Sequence, residues 1–175
     1  LVCIARSLSQ EARATKAKKG IAVMTTPDIR WSRCDIKTVM LLPACLAKSA
    51  ARATGAVEAW FVDRHGFVTE GASSNAWIIT QNDTLVTRPT DTKILAGITR
   101  ATTLRGLEKL GLNLEERAFM LDEALGAKEA FGTSASAQVM PVVKINNQLI
   151  GTGQPGPKTL KLREIFYSVA EVSSV

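Results

Sequence analysis

At 175 residues the chain is long enough to bury one sizeable core. Its make-up, 46% hydrophobic and 22% charged, is that of a globular domain, and no apolar run approaches the roughly 18–20 residues that span a bilayer. The net charge of +6 suits a solubilising surface or attraction of anionic ligands; with aromatics at 5% and basic residues scattered outside Lys16-Ala17-Lys18-Lys19, it does not form the basic, aromatic-interleaved stripe of a nucleic-acid-binding face.

In chain order, Leu1–Leu8 is apolar and β-branched and predicts a strand. It lacks the leading basic region and small-residue cleavage site of a signal peptide. Gln10–Ala17 is polar and predicts a surface loop; Ile21–Thr25 predicts a strand. Val39–Ala53 predicts a helix, with Leu42, Leu46 and Ser49–Ala50 at helical spacing, Pro43 near its first turn and Gly55 as its stop. Strands follow at Val57–Val62 and Phe67–Glu70, around the turn Arg64-His65-Gly66. Asn75–Thr80 and Thr84–Thr87 form a hairpin around Gln81-Asn82-Asp83. Ile98–Leu110 predicts a helix with Leu104, Leu107 and Leu110 on or near one face and Gly111 as its stop. Then come a strand at Asn113–Phe119 and a short helix at Leu121–Gly126 with acidic residues in its first turn. Strands at Glu129–Thr133 and Gln138–Ile145, the turn Asn146-Asn147, a strand at Gln148–Ile150 and a Gly/Pro-rich loop over Gly151–Pro157 lead to an amphipathic helix at Leu160–Val172. Many short strands without regular βαβ alternation predict an α+β fold rather than a doubly wound sheet.

Cys3, Cys34 and Cys45 show no CxxC spacing, and an odd count argues against a complete disulfide framework. A reducing, cytoplasmic setting is expected. The single histidine, His65, lies in a turn and reads as solvated, so neither a metal site nor a histidine-based triad is expected.

Three segments carry chemistry. Taken alone, Lys37 between Ile36 and Thr38 reads as a surface lysine, and Glu70 as a strand-end carboxylate. Gly97-Ile98-Thr99 opens a helix, where free backbone N–H groups and the dipole favour an anion such as phosphate, or serve simply as a cap. Taken together, Arg30-Trp31-Ser32-Arg33-Cys34-Asp35-Ile36-Lys37-Thr38, Val68-Thr69-Glu70-Gly71-Ala72-Ser73-Ser74-Asn75 and Ile94-Leu95-Ala96-Gly97-Ile98-Thr99-Arg100 resemble the fold-type IV pyridoxal-phosphate (PLP) enzymes in order and spacing. The likeness is greatest to the D-amino-acid aminotransferases. The resemblance implies a pseudo-barrel large domain with PLP at its mouth. It makes Lys37 a buried Schiff-base lysine and proton carrier, with its pKa lowered by burial. Glu70 becomes the carboxylate that keeps the cofactor's ring nitrogen protonated. Ser73, Ser74 and Asn75 would order that carboxylate and the ring, and Leu95 would pack on the ring. Gly97, Ile98 and Thr99 would hold the phosphate. Ser134, Ala135 and Ser136 lie at the family's second phosphate-binding segment. Ala135 falls where the family usually has threonine, so Ser134 or Ser136 is expected to supply the hydroxyl.

The resemblance further implies an amino-acid or amine donor, a 2-oxo acid acceptor and a homodimer. Trp31 and Cys34-Asp35-Ile36-Lys37 tilt towards D-amino acids, and Val139-Met140-Pro141 leans towards an (R)-selective amine transaminase. Branched-chain aminotransferases and aminodeoxychorismate lyase share the constellation, and a cofactor-free domain with no activity is the non-enzymatic alternative. Residues 1–25 read as a remnant of, or link to, an N-terminal domain, and 26–175 as the PLP-binding large domain. The N-terminal domain of such proteins, about 100 residues on the usual domain scale, is expected to be missing here. With it would go a phosphate-binding arginine and the groups that grip the substrate carboxylate. Arg30 and Arg33 are expected to serve the structural surface rather than bind anions.

Overall fold

The computed structural model describes residues 2–5 and 7–169. Ser9 opens the first element: its Oγ accepts the Ala12 N–H at 3.1 Å and caps α1 (Gln10–Lys19). Glu11 lies in the first turn and Lys16, Lys18 and Lys19 in the last, complementing the helix dipole; Gly20, at φ +72°, closes the helix by donating to the Lys16 carbonyl. The loop expected at Gln10–Ala17 is therefore corrected. Polarity reported exposure, since only Ala17 is buried, but the cap and the Ala, Lys and Arg content decide the backbone. The strand expected at Leu1–Leu8 is corrected too. Leu1 and Arg6 lie outside the described residues; the rest carries no strand, and Val2, Ile4 and Leu8 are exposed. An apolar run needs a pairing neighbour to become a strand, and none of the described strands offers one.

The later helices are α2 (Leu42–Ala53), α3 (Ile98–Gly106), α4 (Leu121–Leu125) and α5 (Pro157–Val169). The strands are β1 (Ile21–Pro27), β2 (Glu58–Val62), β3 (Phe67–Gly71), β4 (Asn75–Ile79), β5 (Thr84–Thr87), β6 (Asn113–Glu116), β7 (Phe119–Met120), β8 (Glu129–Ser134), β9 (Gln138–Ile145) and β10 (Gln148–Leu149). They form one sheet in the order β6-β5-β4-β8-β9-β1-β2-β3-β7, with β10 on β9. β1 runs parallel to both β2 and β9, and β5 to β6. β3 and β4 lie far apart in this order, yet only Ala72-Ser73-Ser74 joins them. The sheet must curl until they meet, which makes the expected α+β pseudo-barrel.

Successive strand side chains face opposite ways. Trp60 therefore joins Val68, Ile78, Val86, Phe119, Val142 and Ile145 inside the barrel, where strands all round it contribute. Its neighbours Ala59 and Phe61 face α2. Trp77 and Phe131, stacked with ring centroids 5.5 Å apart, face Leu107 after α3 and Leu162 on α5. Strands covered on both faces carry continuous apolar runs, as in residues 76–79 of β4.

α2 starts at Leu42 rather than Val39, and its buried face is not the leucine face expected. Ala47 and Ala51 pack on Ala56, Ala59 and Phe61, while Leu42 and Leu46 are exposed. Phe61 already fills the space above the sheet, so only small side chains allow close approach. The helix expected over Ile98–Leu110 tightens after Gly106 into a 3-10 turn, Leu107–Leu110, closed by Gly111 at φ +61°. The strand expected at Asn113–Phe119 divides between β6, on the β5 edge, and β7, on the β3 edge. α5 begins earlier than expected, at Pro157, a residue pre-set for a first helical position; residues 170–172 of the expectation lie outside the described residues. Among the described residues no helix is long and apolar enough to cross a membrane.

Glu129 holds the start of α5. Its buried carboxylate accepts the Lys158 N–H at 3.1 Å and the Thr159 N–H at 2.7 Å. A Cβ on Gly156 would stand 2.0 Å from the Glu129 Cδ, so this close approach requires glycine. Glu129→Ala is expected to cost about 2 kcal/mol in urea unfolding, through two orphaned donors and a lost helix-end charge; a change below about 0.5 kcal/mol would contradict this capping role.

Candidate active site

Glu70 lies one residue before the end of β3, with its side chain 8% exposed. Its Oε2 accepts the Asn75 Nδ2–H and the Leu95 N–H, each at 3.1 Å, and its Oε1 accepts Arg30 Nη1 at 2.5 Å. Asn75, first in β4 and buried, also donates to the Leu95 carbonyl at 2.8 Å. A Cβ on Gly97 would lie 2.4 Å from Asn75 Oδ1, so glycine lets the chain close over Asn75. Glu70, Asn75, Leu95 and Gly97 therefore form one contact cluster. Leu95 enters it through its backbone, which apolar side-chain reasoning did not foresee.

Arg30 corrects its expected place on the surface. It is nearly buried and bridges Glu70 to Asp28, 2.8 Å away. Burial works against its charge, yet its bonds to Asp28 and Glu70 hold its pKa above the ordinary value. Burial also works to raise Asp28, but bonds from Arg30 and Thr69 hold it below its usual range. Asp28 and Arg30 are thus a matched ion pair. Glu70 is the carboxylate left over: burial pushes it up to about 7 from an ordinary 4.5, against the pull of Arg30 and Leu95. The cluster is short of one positive charge. Arg33 stays exposed and pairs with Asp35.

The raised Glu70 value has a consequence for stability. Between about pH 4.5 and 7 the folded chain keeps a proton that the unfolded chain releases. This contribution to stability is full below 4.5 and is lost as pH rises through 7. From pH 5 to pH 8 the stability of the cofactor-free chain relative to Glu70→Gln is expected to fall, by on the order of 3 kcal/mol. A flat difference in urea midpoints would contradict it.

Ile98 and Thr99 follow Gly97 at the N-terminus of α3. Gly97 gives that end no side-chain cap, so its first N–H groups are available to an anion. Ser134 ends β8, and Ala135 and Ser136 lie in the turn from there to β9. Ser134 Oγ accepts the Ala137 N–H at 3.1 Å, and Arg163 on α5 grips the turn by donating to the Ala137 and Val139 carbonyls at 3.0 and 2.5 Å. Ser73, Ser74, Ser134 and Ser136 line a cavity of about 180 Å³ with Lys16, Lys48, Glu58 and Trp60. There Glu58 Oε2 accepts Ser73 Oγ–H at 2.6 Å, and Lys48 Nζ donates to Ser73 Oγ at 2.8 Å. Glu58 and Lys48 were not among the expected site residues.

Lys37 lies in the irregular segment between β1 and α2 and is exposed, not buried as the resemblance implied. The segment is tied to the cluster upstream of it: Arg30 reaches Glu70, and the Cys34 N–H donates to the Thr92 carbonyl at 2.8 Å. His65 is exposed in its turn, and no group of three or more His, Cys, Asp or Glu suited to a metal occurs among the described residues.

The family model described as amino-transferase class IV matches residues 1–145. The chain belongs to the class IV aminotransferases. Among curated members of similar sequence, the D-alanine aminotransferase of Bacillus licheniformis is 46% identical over 142 residues, covering 81% of this chain and 50% of that protein. That of Staphylococcus epidermidis (strain ATCC 12228) is 36% identical over 174 residues, covering 99% of this chain and 61% of that protein. Among solved structures, the branched-chain amino acid aminotransferase of Thermobaculum terrenum in its PLP form superposes with a TM-score of 0.80 at 30% identity, covering 86% of this chain and 50% of that one. The Escherichia coli branched-chain enzyme gives 0.74 at 26% identity, covering 86% and 52%. The chain spans about half the length of the curated relatives it matches.

Proposed function

We propose that this chain is the PLP-binding part of an aminotransferase that exchanges an amino group between a D-amino acid and a 2-oxo acid. The observation that carries the reading is Glu70, a buried carboxylate in a cluster short of one positive charge. A pyridinium N–H is a cation of the right kind, and the uncapped α3 N-terminus suits a phosphate. The residues present fit PLP. Glu70 would face the ring nitrogen, and Leu95 with Ser73, Ser74 and Asn75 would flank the ring. Gly97, Ile98, Thr99 and the Ser134–Ser136 turn would hold the phosphate, and Lys37 would hold the aldehyde carbon. Bound PLP supplies an electron sink for the substrate's α-carbon. Lys37 Nζ takes the proton from that carbon as general base, and Glu70 holds the proton at the ring nitrogen.

Residues 1–25 serve as the link to a further domain and 26–175 as the PLP-binding unit, with β1 tying the link into the sheet. The 46% identity to a D-alanine aminotransferase supports the choice of D-amino acids. The structural likeness to branched-chain enzymes supports those substrates as the second reading. In the full-length protein, D-alanine with 2-oxoglutarate is expected to turn over faster than L-leucine or an (R)-amine; the reverse order overturns the substrate assignment. Exposed Val39, Met40, Leu41, Leu42 and Leu46 form an apolar face that supports a homodimer, to be tested by light scattering. Free Cys3, Cys34 and Cys45 fit a cytoplasmic setting.

A further inference from the structure

The Asp28–Arg30–Glu70 cluster has two carboxylates for one guanidinium, and they share it unequally. Arg30 gives Asp28 three N–H bonds: the backbone N to Oδ1 at 3.2 Å, Nε to Oδ1 at 2.9 Å and Nη2 to Oδ2 at 2.8 Å. Glu70 receives one, from Nη1. Thr69 Oγ1 donates to Asp28 Oδ2 at 2.7 Å and fixes that carboxylate. The guanidinium carbon lies 4.5 Å from the centroid of the Phe61 ring, and Nη2 donates to the Lys93 carbonyl at 3.0 Å. With Nε and Nη2 engaged by Asp28, Arg30 offers Glu70 only Nη1 rather than a two-pronged pair.

We propose that Asp28 is a positioning residue: it occupies Arg30 and so reserves the Glu70 carboxylate for a cationic ring nitrogen. The inference rests on the PLP reading of the site. A bidentate arginine–carboxylate pair is strong and makes the carboxylate a poor proton holder. If Arg30 served Glu70 alone, Glu70 would lose the basicity needed to keep a proton on the ring. The other ionisable groups near the cluster are already committed. Lys93 pairs with Asp63 at 3.2 Å and Arg33 with Asp35 at 2.8 Å. Burial pushes the Cys34 thiol up, so it stays neutral.

The test is a carbon-13 NMR titration of the glutamate carboxyls in the cofactor-free chain, with Glu70→Gln assigning the resonance. Asp28→Asn keeps the shape and removes the charge. It is expected to lower the Glu70 midpoint by about one unit or more. Asp28→Ser, which keeps a hydroxyl for Arg30, gives the same direction if the first variant folds poorly. An unchanged or raised midpoint overturns the inference. In the PLP-loaded full-length protein, Asp28→Asn should lower kcat about tenfold, one pKa unit's worth, with KM for the donor held within about twofold. A lowered midpoint with unchanged kcat also overturns it. Full activity in Glu70→Gln would refute the PLP reading of the site itself.

Discussion

Lys37→Ala in the full-length protein is expected to reduce transamination by about four orders of magnitude and to leave no borohydride-reducible PLP adduct. The size of the loss follows from two roles in one side chain. Under the proposed function the Lys37 amine would be both the nucleophile that anchors the cofactor and the base that moves the substrate's proton, and alanine removes both. Lys37→Arg keeps the charge but should fare no better, because a guanidinium does not lose its proton at neutral pH. Lys48 is the natural control. It lines the cavity with Ser73 and Ser134 and bonds Ser73, so an adduct surviving Lys37→Ala and mapping to Lys48 would contradict the assignment. A Lys37→Ala protein retaining a tenth of the activity would do so as well.

Glu70→Gln should bind PLP and lose two to three orders of magnitude in kcat, the usual worth of a preorganised group facing developing charge. Glutamine keeps the shape and can still accept the Leu95 N–H, so the backbone around it should hold. It cannot keep a proton on a ring nitrogen. Arg30 then loses one of its two carboxylate partners, and Asp28 alone balances it. The variant should therefore fold and fail in catalysis. Near-normal turnover would end the proposed role of Glu70, and loss of folding would mean that the Arg30 bond is chiefly structural.

Local chemistry in the chain was enough to mark most elements. Thr84–Thr87 and Gln138–Ile145 match β5 and β9 because turn residues bracket them: Asp83 and Asn146 adopt φ +63° and +47°, a region that Asn and Asp tolerate. Leu1–Leu8 and α1 depart from their hydropathy patterns for the opposite reason, since hydropathy encodes neither a pairing partner nor the Ser9 cap. In α2 the alanines at 44, 47 and 51 were the better signal, because close approach to a sheet selects small residues.

Around Glu70, the residues Asn75, Leu95 and Gly97 are marked out by two of the three short segments, and the fold brings all four into contact. Arg30 was not legible in this way. In sequence it looks like Arg33, with an acid two residues away in each case, and only the fold brings Glu70, 40 residues on, against one of them. Glu58 and Lys48 were hidden likewise, being polar residues on a strand and a helix whose apolar neighbours dominated the pattern.

The most direct test is to incubate the chain with PLP, reduce it with borohydride and map the peptides. A pyridoxyl group on Lys37, absent without PLP, is the result predicted here. A pyridoxyl group at another lysine, or none on the full-length protein, would contradict the claim that Lys37 and Glu70 hold one cofactor between them.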